Sequence, residues 1–431
     1  METIIKKEGT PQLIEICIHK TKSKSMYKVL LIWPTLSLIT GIMLDTPYNL
    51  YNGLCSILNA DGILLTDYFL IGGIGASLIN SAILTYLNIY LLYKLDLKPN
   101  GIIISAIFLV SGFGLIGKNI SNICPFYIGG YIYSRYHNIE YKKVVIINML
   151  STALSPLGSI LINGILEESL ISLCIIILIN AFIGFIMPPI CASTMIAHSG
   201  YNLYNMGFAT GLIGVIVYAF MDSFGLQTLL NTDLYEGKTT IIIILLLFLC
   251  LIFIVLGYIL NSRSFKGFKD IFKHSGRIVT DLVQLVGFGL TLINMGLLGL
   301  MSIGYIFLFN GTFNGPTVTA VLVVMGFGAF GKNLKNTIPI ILGASFMAFM
   351  IKQEITTTTL IISALFGTSL APIAGEFGFF RGILAGMMHM VLTLNVINFH
   401  GGLVLYSNGF SAGIVATIFI PMLDAFRKGE A

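Results

Sequence analysis

Charge is what this chain has least of: only 10% of its 431 residues are charged, against 56% hydrophobic residues and a mean hydropathy of +0.92. A chain so poor in charge cannot stay dispersed in water, which excludes a soluble globular protein. It also lacks the alternation of apolar and polar residues, in segments of about ten, that an outer-membrane barrel needs. No H-E-x-x-H, G-x-S-x-G or Walker sequence occurs, and no polar stretch is long enough for a soluble catalytic domain. No enzyme, catalytic residue or cofactor is therefore expected. The six cysteines (Cys17, Cys55, Cys124, Cys174, Cys191, Cys250) form no C-x-x-C and lie mostly in apolar segments. They suggest neither a disulfide framework nor a metal site. The basic residues interrupt apolar runs instead of forming one patch, so no nucleic-acid partner is expected.

What the chain does have is uncharged runs of membrane length, such as Val144 to Leu166 and Thr239 to Leu260. Runs of roughly 20 residues cross about 30 Å of hydrocarbon as helices. An all-α polytopic membrane protein follows, its main partner the lipid bilayer. Apolar segments fall near 29–45, 69–93, 101–117, 119–134, 144–166, 170–197, 203–222 and 239–260, then near 283–309, 316–331, 334–351, 357–375, 381–398 and 403–423. The working count is about 14 membrane segments, within a range of 12 to 14.

The chain also repeats itself. GFGLIGKNISNICPFYIG, from Gly112 to Gly129, returns as GFGAFGKNLKNTIPIILG from Gly326 to Gly343, identical at nine of eighteen positions. HSGYNLYNMGFATGLIG from His198 is matched by HGGLVLYSNGFSAGIVA from His400, and STALSPLG from Ser151 by GTSLAPIAG from Gly367. Two homologous copies are thus expected: repeat 1 over 69–222 and repeat 2 over 283–423. Before them come a cytoplasmic tail (1–28) and a first transmembrane helix with its loop (29–68). A connecting helix with a basic cytoplasmic loop fills 223–282, and a C-terminal tail 424–431.

Lys and Arg in short loops set the orientation. With Lys6, Lys7, Lys20, Lys22, Lys24 and Lys28 inside, the Lys94/Lys98 loop, the Arg135 to Lys143 loop, the Arg263 to Arg277 segment and Arg427/Lys428 also fall inside. Glu167, Glu168 and the Asp222 to Glu236 loop fall outside. The first copy then enters from outside and the second from inside, so the copies are inverted. That plan recurs in secondary transporters, with the site near the midplane between the copies. Short or broken helices are expected after each G-K-N, because those stretches hold Pro125 and Pro339 and open on a polar cluster. Whether 119–134 and 334–351 cross or re-enter stays open, and so does an oligomeric assembly.

Candidate substrate-binding residues come from the paired motifs. In G-x-G-x-x-G-K-N-x-x-N the glycines free backbone N–H groups and the lysine supplies a cation. Lys118, Asn119, Asn122, Lys332, Asn333 and Asn336 would then form two anion seats. The alternative is close packing by glycine, capping by asparagine and snorkelling by lysine. His198 and His400, each six residues before Tyr204 and Tyr406, suit proton coupling or hydrogen bonding to a polar solute. The alternative for these is a structural contact between packed helices. Thr152 and Thr368, four residues before Pro156 and Pro372, would satisfy a carbonyl at a kink, and Glu376 would cap a helix beside Arg381.

In their order, these paired landmarks resemble an uncharacterised family of bacterial multi-pass membrane proteins, which implies a bacterial inner-membrane location but no activity. A looser likeness is to urea channels, which also contain two inverted halves, carried here by Gly200, Tyr201 and Asn202 with Leu212 to Gly214. The second copy departs from it with Leu403 and Val404. Three function classes stand: an inverted-repeat secondary transporter of a small polar or anionic solute, using a coupling ion; a passive channel for a small neutral solute such as urea; and a non-transporting membrane scaffold.

Overall fold

The computed structural model describes residues 21–60, 66–164, 169–225, 233–352 and 355–426. The acids Glu167 and Glu168 and the basic residues Lys6, Lys7, Lys20, Arg427 and Lys428 lie outside the described residues. Within them the protein is helical throughout, without a strand. In chain order the main helices are α1 (Ser23–Leu44), α2 (Pro47–Asn59), α3 (Gly73–Lys94), α4 (Gly101–Phe113) and α5 (Ile120–Tyr136). There follow α6 (Pro156–Gly164, preceded by Val145–Leu154), α7 (Leu170–Ala197), α8 (Asn205–Ser223), α9 (Thr240–Leu260) and α10 (Phe288–Leu308). The last five are α11 (Gly315–Phe327), α12 (Leu334–Met350), α13 (Thr357–Phe377), α14 (Phe379–His400) and α15 (Ser407–Ala425). Nine described helices are long and apolar enough to cross a membrane, and four more are apolar but shorter.

Local sequence explains where these helices start and break. Asn100 and Asn314 cap α4 and α11 by accepting the Ile103 and Thr317 N–H groups, and Ser169 caps α7 in the same way. Helix α13 and the segment leading into α6 each break into a 3₁₀ turn, Thr368–Leu370 and Thr152–Leu154. Pro372 and Pro156 fall in the first turn of the helix that follows, where a missing N–H costs nothing. At 1.5 Å per residue, the 13 residues of α4 and of α11 reach roughly 20 Å, short of about 30 Å of hydrocarbon. The segments after each G-K-N are 17 residues long, each with its proline inside the helix.

Large apolar side chains on the outside, such as Leu178 and Phe182 on α7 and Phe248 and Leu251 on α9, are exposed. In water such faces would drive association; here the bilayer is their solvent. Glycines let the helix backbones approach closely. Gly129 of α5 meets the Ala181 carbonyl of α7, and its equivalent Gly343 of α12 meets the Ile383 carbonyl of α14. With lipid no less apolar than the helix surface, such close backbone packing holds helices together.

Equivalent contacts recur in reciprocal form between the copies. Gly101 of α4 lies against Ala329, Gly112 against Thr319, and Gly315 against Leu115, so α4 and its counterpart α11 run antiparallel. The Gly101 N–H donates to Asp281 Oδ1 and the Gly315 N–H to Asp67 Oδ1, each at 3.1 Å. Leu203 N–H donates to the Ser369 carbonyl at 2.9 Å and Leu405 N–H to the Ala153 carbonyl at 3.0 Å. Gly207 of α8 and Gly409 of α15 face each other, with each Cα in the other's way if a Cβ were added. Helices outside the repeat spans drawn from the sequence follow the same pattern. Gly41 of α1 packs on the Gly75 carbonyl of α3, and Gly257 of α9 on the Gly289 carbonyl of α10.

Candidate functional site

Each G-K-N block is a turn between two short helices. Gly117 and Gly331 adopt φ of +76° and +127°, a conformation that favours glycine, and the chain then enters α5 or α12 through an asparagine cap. Asn119 Oδ1 accepts from the Ser121 and Asn122 N–H groups, while Asn122 Oδ1 accepts from the Asn119 N–H. Asn333 and Asn336 exchange the same pair of bonds. Their amide groups are engaged as well: Asn119 Nδ2 donates to the Ile57 carbonyl and Asn122 Nδ2 to that of Gly117. The four asparagines thus hold the turn.

The carbonyls freed by the turns are taken up by two asparagines that the motif search passed over. Asn80 Nδ2 donates to the Gly114 and Lys118 carbonyls at 2.7 and 2.8 Å, and Asn294 Nδ2 to those of Gly328 and Lys332 at 2.8 and 2.7 Å. A usable signal was present, since Asn80 and Asn294 precede their G-K-N blocks by the same number of residues.

With the backbone fixed, both lysine side chains turn inward and are fully buried. Lys332 Nζ donates to Thr368 Oγ1 at 2.7 Å and to the Tyr204 hydroxyl at 2.6 Å. Lys118 Nζ donates to Thr152 Oγ1 at 2.6 Å and to the Tyr406 hydroxyl. In each case the threonine comes from the lysine's own copy and the tyrosine from the other. The ammonium groups also lie over aromatic rings: Lys332 is 4.4 Å from the Tyr204 centroid and 5.3 Å from that of Phe327, Lys118 4.6 Å from Tyr406 and 5.4 Å from Phe113. The ion pairs found among the described residues, Lys142–Glu140 and Lys273–Asp270, involve neither lysine. Burying an ammonium costs several kcal/mol. Hydrogen bonds to a charged group at about 1.5–3 kcal/mol each, with cation–π contacts of roughly 2 kcal/mol when desolvated, offset part of that cost.

The two tyrosines line a cavity of about 430 Å³ between the copies. Its wall is mostly aromatic and aliphatic, with Phe113, Phe327 and Phe366 beside Tyr204 and Tyr406, and its polar groups include Ser105, Asn205 and Asn408. Phe366 of α13 stacks on Phe113 with centroids 6.1 Å apart and meets Tyr204 edge-on at 6.3 Å. Lys143 and Ile278 lie along the same cavity. A separate polar cavity of about 700 Å³, lined by Asp233, Glu236 and Thr356 to Thr359, lies elsewhere.

The chain belongs to the family described as "Protein of unknown function (DUF1576)". Its model matches residues 46–223 and 260–425, one stretch over each copy. No curated protein and no solved structure matches the chain.

Within this family member, the histidines proposed from the sequence are set apart from the tyrosines six residues on. His198 Nε2 pairs with Asn205 Oδ1 at 2.8 Å while its Nδ1 accepts the Asn202 N–H at 3.4 Å. His400 Nε2 pairs with Ser407 Oγ at 3.0 Å. Both histidines therefore brace the bend that leads into the next helix. Thr152 and Thr368 do serve carbonyls, those of Met149 and Leu365, but their oxygens also accept from the lysines. Glu376 lies inside the helical turn Ala371–Phe377 and is exposed.

Proposed function

We propose that the protein is an inverted-repeat secondary transporter, and that it carries a small organic anion with an apolar body through the cavity between its copies. The observation that carries this is the pair of crossed lysine–tyrosine bonds. Because each lysine donates to a tyrosine oxygen, the hydrogen of that hydroxyl goes to another acceptor, and both tyrosines line the cavity. A hydroxyl donor backed by a buried cation favours an anionic acceptor. The largely apolar wall and the volume, at the lower end of about 300–1,000 Å³ for ligand pockets, suit an apolar body on that anion.

The packing of the two copies supports the same reading. Equivalent helices that pack antiparallel, α4 with α11, are what a pseudo-two-fold axis in the membrane plane produces, and the loop charges give opposite entry sides. We place α1 and α9 at the start of the two units, since each packs on the next long helix through a glycine pair. Leaving aside α2, which is too short and polar to count as a span, each unit has seven elements, and seven crossings, an odd number, leave the second copy upside down. A bacterial inner membrane with both termini cytoplasmic fits this arrangement.

A ligand screen tests the proposal. Purified protein is heated with small carboxylates such as benzoate and hexanoate, with the matching amides and with urea. Stabilisation by carboxylates, lost in Tyr204→Phe, is expected; stabilisation by urea or amides alone would favour a channel for neutral solutes, and none at all a scaffold. Flux of the best acid into proteoliposomes should saturate.

A further inference from the structure

The copies differ at one buried polar cluster. His389 on α14 is wholly buried, with Nε2 3.2 Å from Asn408 Oδ1 and 3.2 Å from Thr393 Oγ1. An amide oxygen only accepts, so this pairing puts the ring hydrogen on Nε2 and leaves Nδ1 as a lone pair. Nδ1 has no hydrogen-bond partner among the described residues, and neither has the nearby Ser363 hydroxyl, whose backbone faces the same ring. Asn408 in turn lines the central cavity, so the imidazole is one side chain away from the space assigned to the solute.

The first copy lacks this cluster at the equivalent positions; its cavity-side Asn205 is bonded instead to Thr194 and to His198, whose Nδ1 is occupied by the Asn202 N–H. The matching contacts of Gly184 with Phe126 and Gly386 with Ile340 fix the register of α7 on α14. In that register Met187 stands for His389 and Cys191 for Thr393, and the motif alignment sets Met206 against Asn408. Met187 and Met206 are buried in an apolar cluster. The second copy thus places a histidine, one side chain from the cavity, at a position that holds methionine in the first.

We propose that His389 is a proton-binding site, filled together with the organic anion. The proton comes from water and forms an N–H bond at Nδ1; the resulting imidazolium balances the charge of the anion, and the proton leaves to water when the anion does. The proposal rests on the transport reading above. The buried ionisable groups around His389 include Lys332, bonded to Thr368 next to Gly367, and Tyr406, two residues before Asn408, with His400 on its own helix; Lys335, Glu376, Asp424 and Asp222 on the helices packed against α14, and Arg381 on α14 itself, are exposed. Lys332 and Tyr406 are each bonded within the crossed lysine–tyrosine pairs. His400 also keeps an unpartnered Nδ1, but its Nε2 is bonded to Ser407, whereas Nε2 of His389 meets Asn408, a residue of the cavity wall, and this ties the free Nδ1 of His389 to the anion's site.

The test is calorimetric titration of the full-length protein with benzoate and hexanoate near pH 7, in two buffers of different ionisation enthalpy. The difference between buffers gives the protons taken up per anion bound. About one is expected for the wild type and for His137→Gln, a surface control, and close to none for His389→Gln and for His389→Met, which carries the first copy's residue. Should proton uptake persist in variants that still bind, the proton site is overturned and the transport reading stands. Absence of binding by either acid in the wild type overturns both.

Discussion

The Lys332 ammonium donates to the Tyr204 hydroxyl across 2.6 Å, and the two residues belong to different copies of the repeat. The equivalent pair, Lys118 and Tyr406, closes the same bond in the opposite sense. These bonds join the copies at the wall of the cavity, so any motion of one copy against the other has to stretch or exchange them.

Removing a partner and removing the cation should have opposite effects. Tyr204→Phe leaves a buried ammonium one hydroxyl short, and a loss of about 1–3 kcal/mol is expected. Lys332→Met removes the buried charge itself and should leave stability near or above the wild-type value. Both should weaken carboxylate binding at least about tenfold, or 1.4 kcal/mol. Thermal unfolding in detergent, with and without ligand, reads both quantities.

Asn80→Ala and Asn294→Ala each strip two turn carbonyls of their donor in a buried setting. A cost of about 1–3 kcal/mol is expected for each, similar in the two copies. A large effect in one copy and none in the other, measured by urea or thermal unfolding, would contradict the equivalence of the turns.

Glycine substitutions separate packing from flexibility. Gly129→Ala places a methyl into the Ala181 carbonyl, and a loss of about 1–3 kcal/mol follows from overpacking. Gly304 of α10 has open space where its Cβ would go, so Gly304→Ala should be neutral or stabilise by about 0.5–1 kcal/mol.

The helical, multi-pass character and the lysines were legible in the sequence because polar residues stand out in apolar runs and a repeated motif marks them twice. The partners of the lysines were not. Tyr204 and Tyr406 were picked out, but beside their local histidines, since a contact across copies leaves no spacing to find. Thr152 and Thr368 were noticed for the prolines that follow them, while their second bond, to lysine, needs the broken helix to bring them together. His389 was missed because it has no counterpart in the first copy, and a search that pairs the copies passes over what they do not share. The asparagines of the G-K-N blocks, read as candidate anion ligands, spend their polar atoms on caps and turn carbonyls.

The inverted arrangement is tested most directly at two equivalent positions just before the short helices α4 and α11. Lys98→Cys and Thr312→Cys, each in a cysteine-free background, are treated with an impermeant thiol reagent on intact and on permeabilised cells. Inverted copies predict that the cysteine at 312 is labelled in intact cells and the cysteine at 98 only after permeabilisation. Labelling of both from the same side would mean parallel copies and contradict the account.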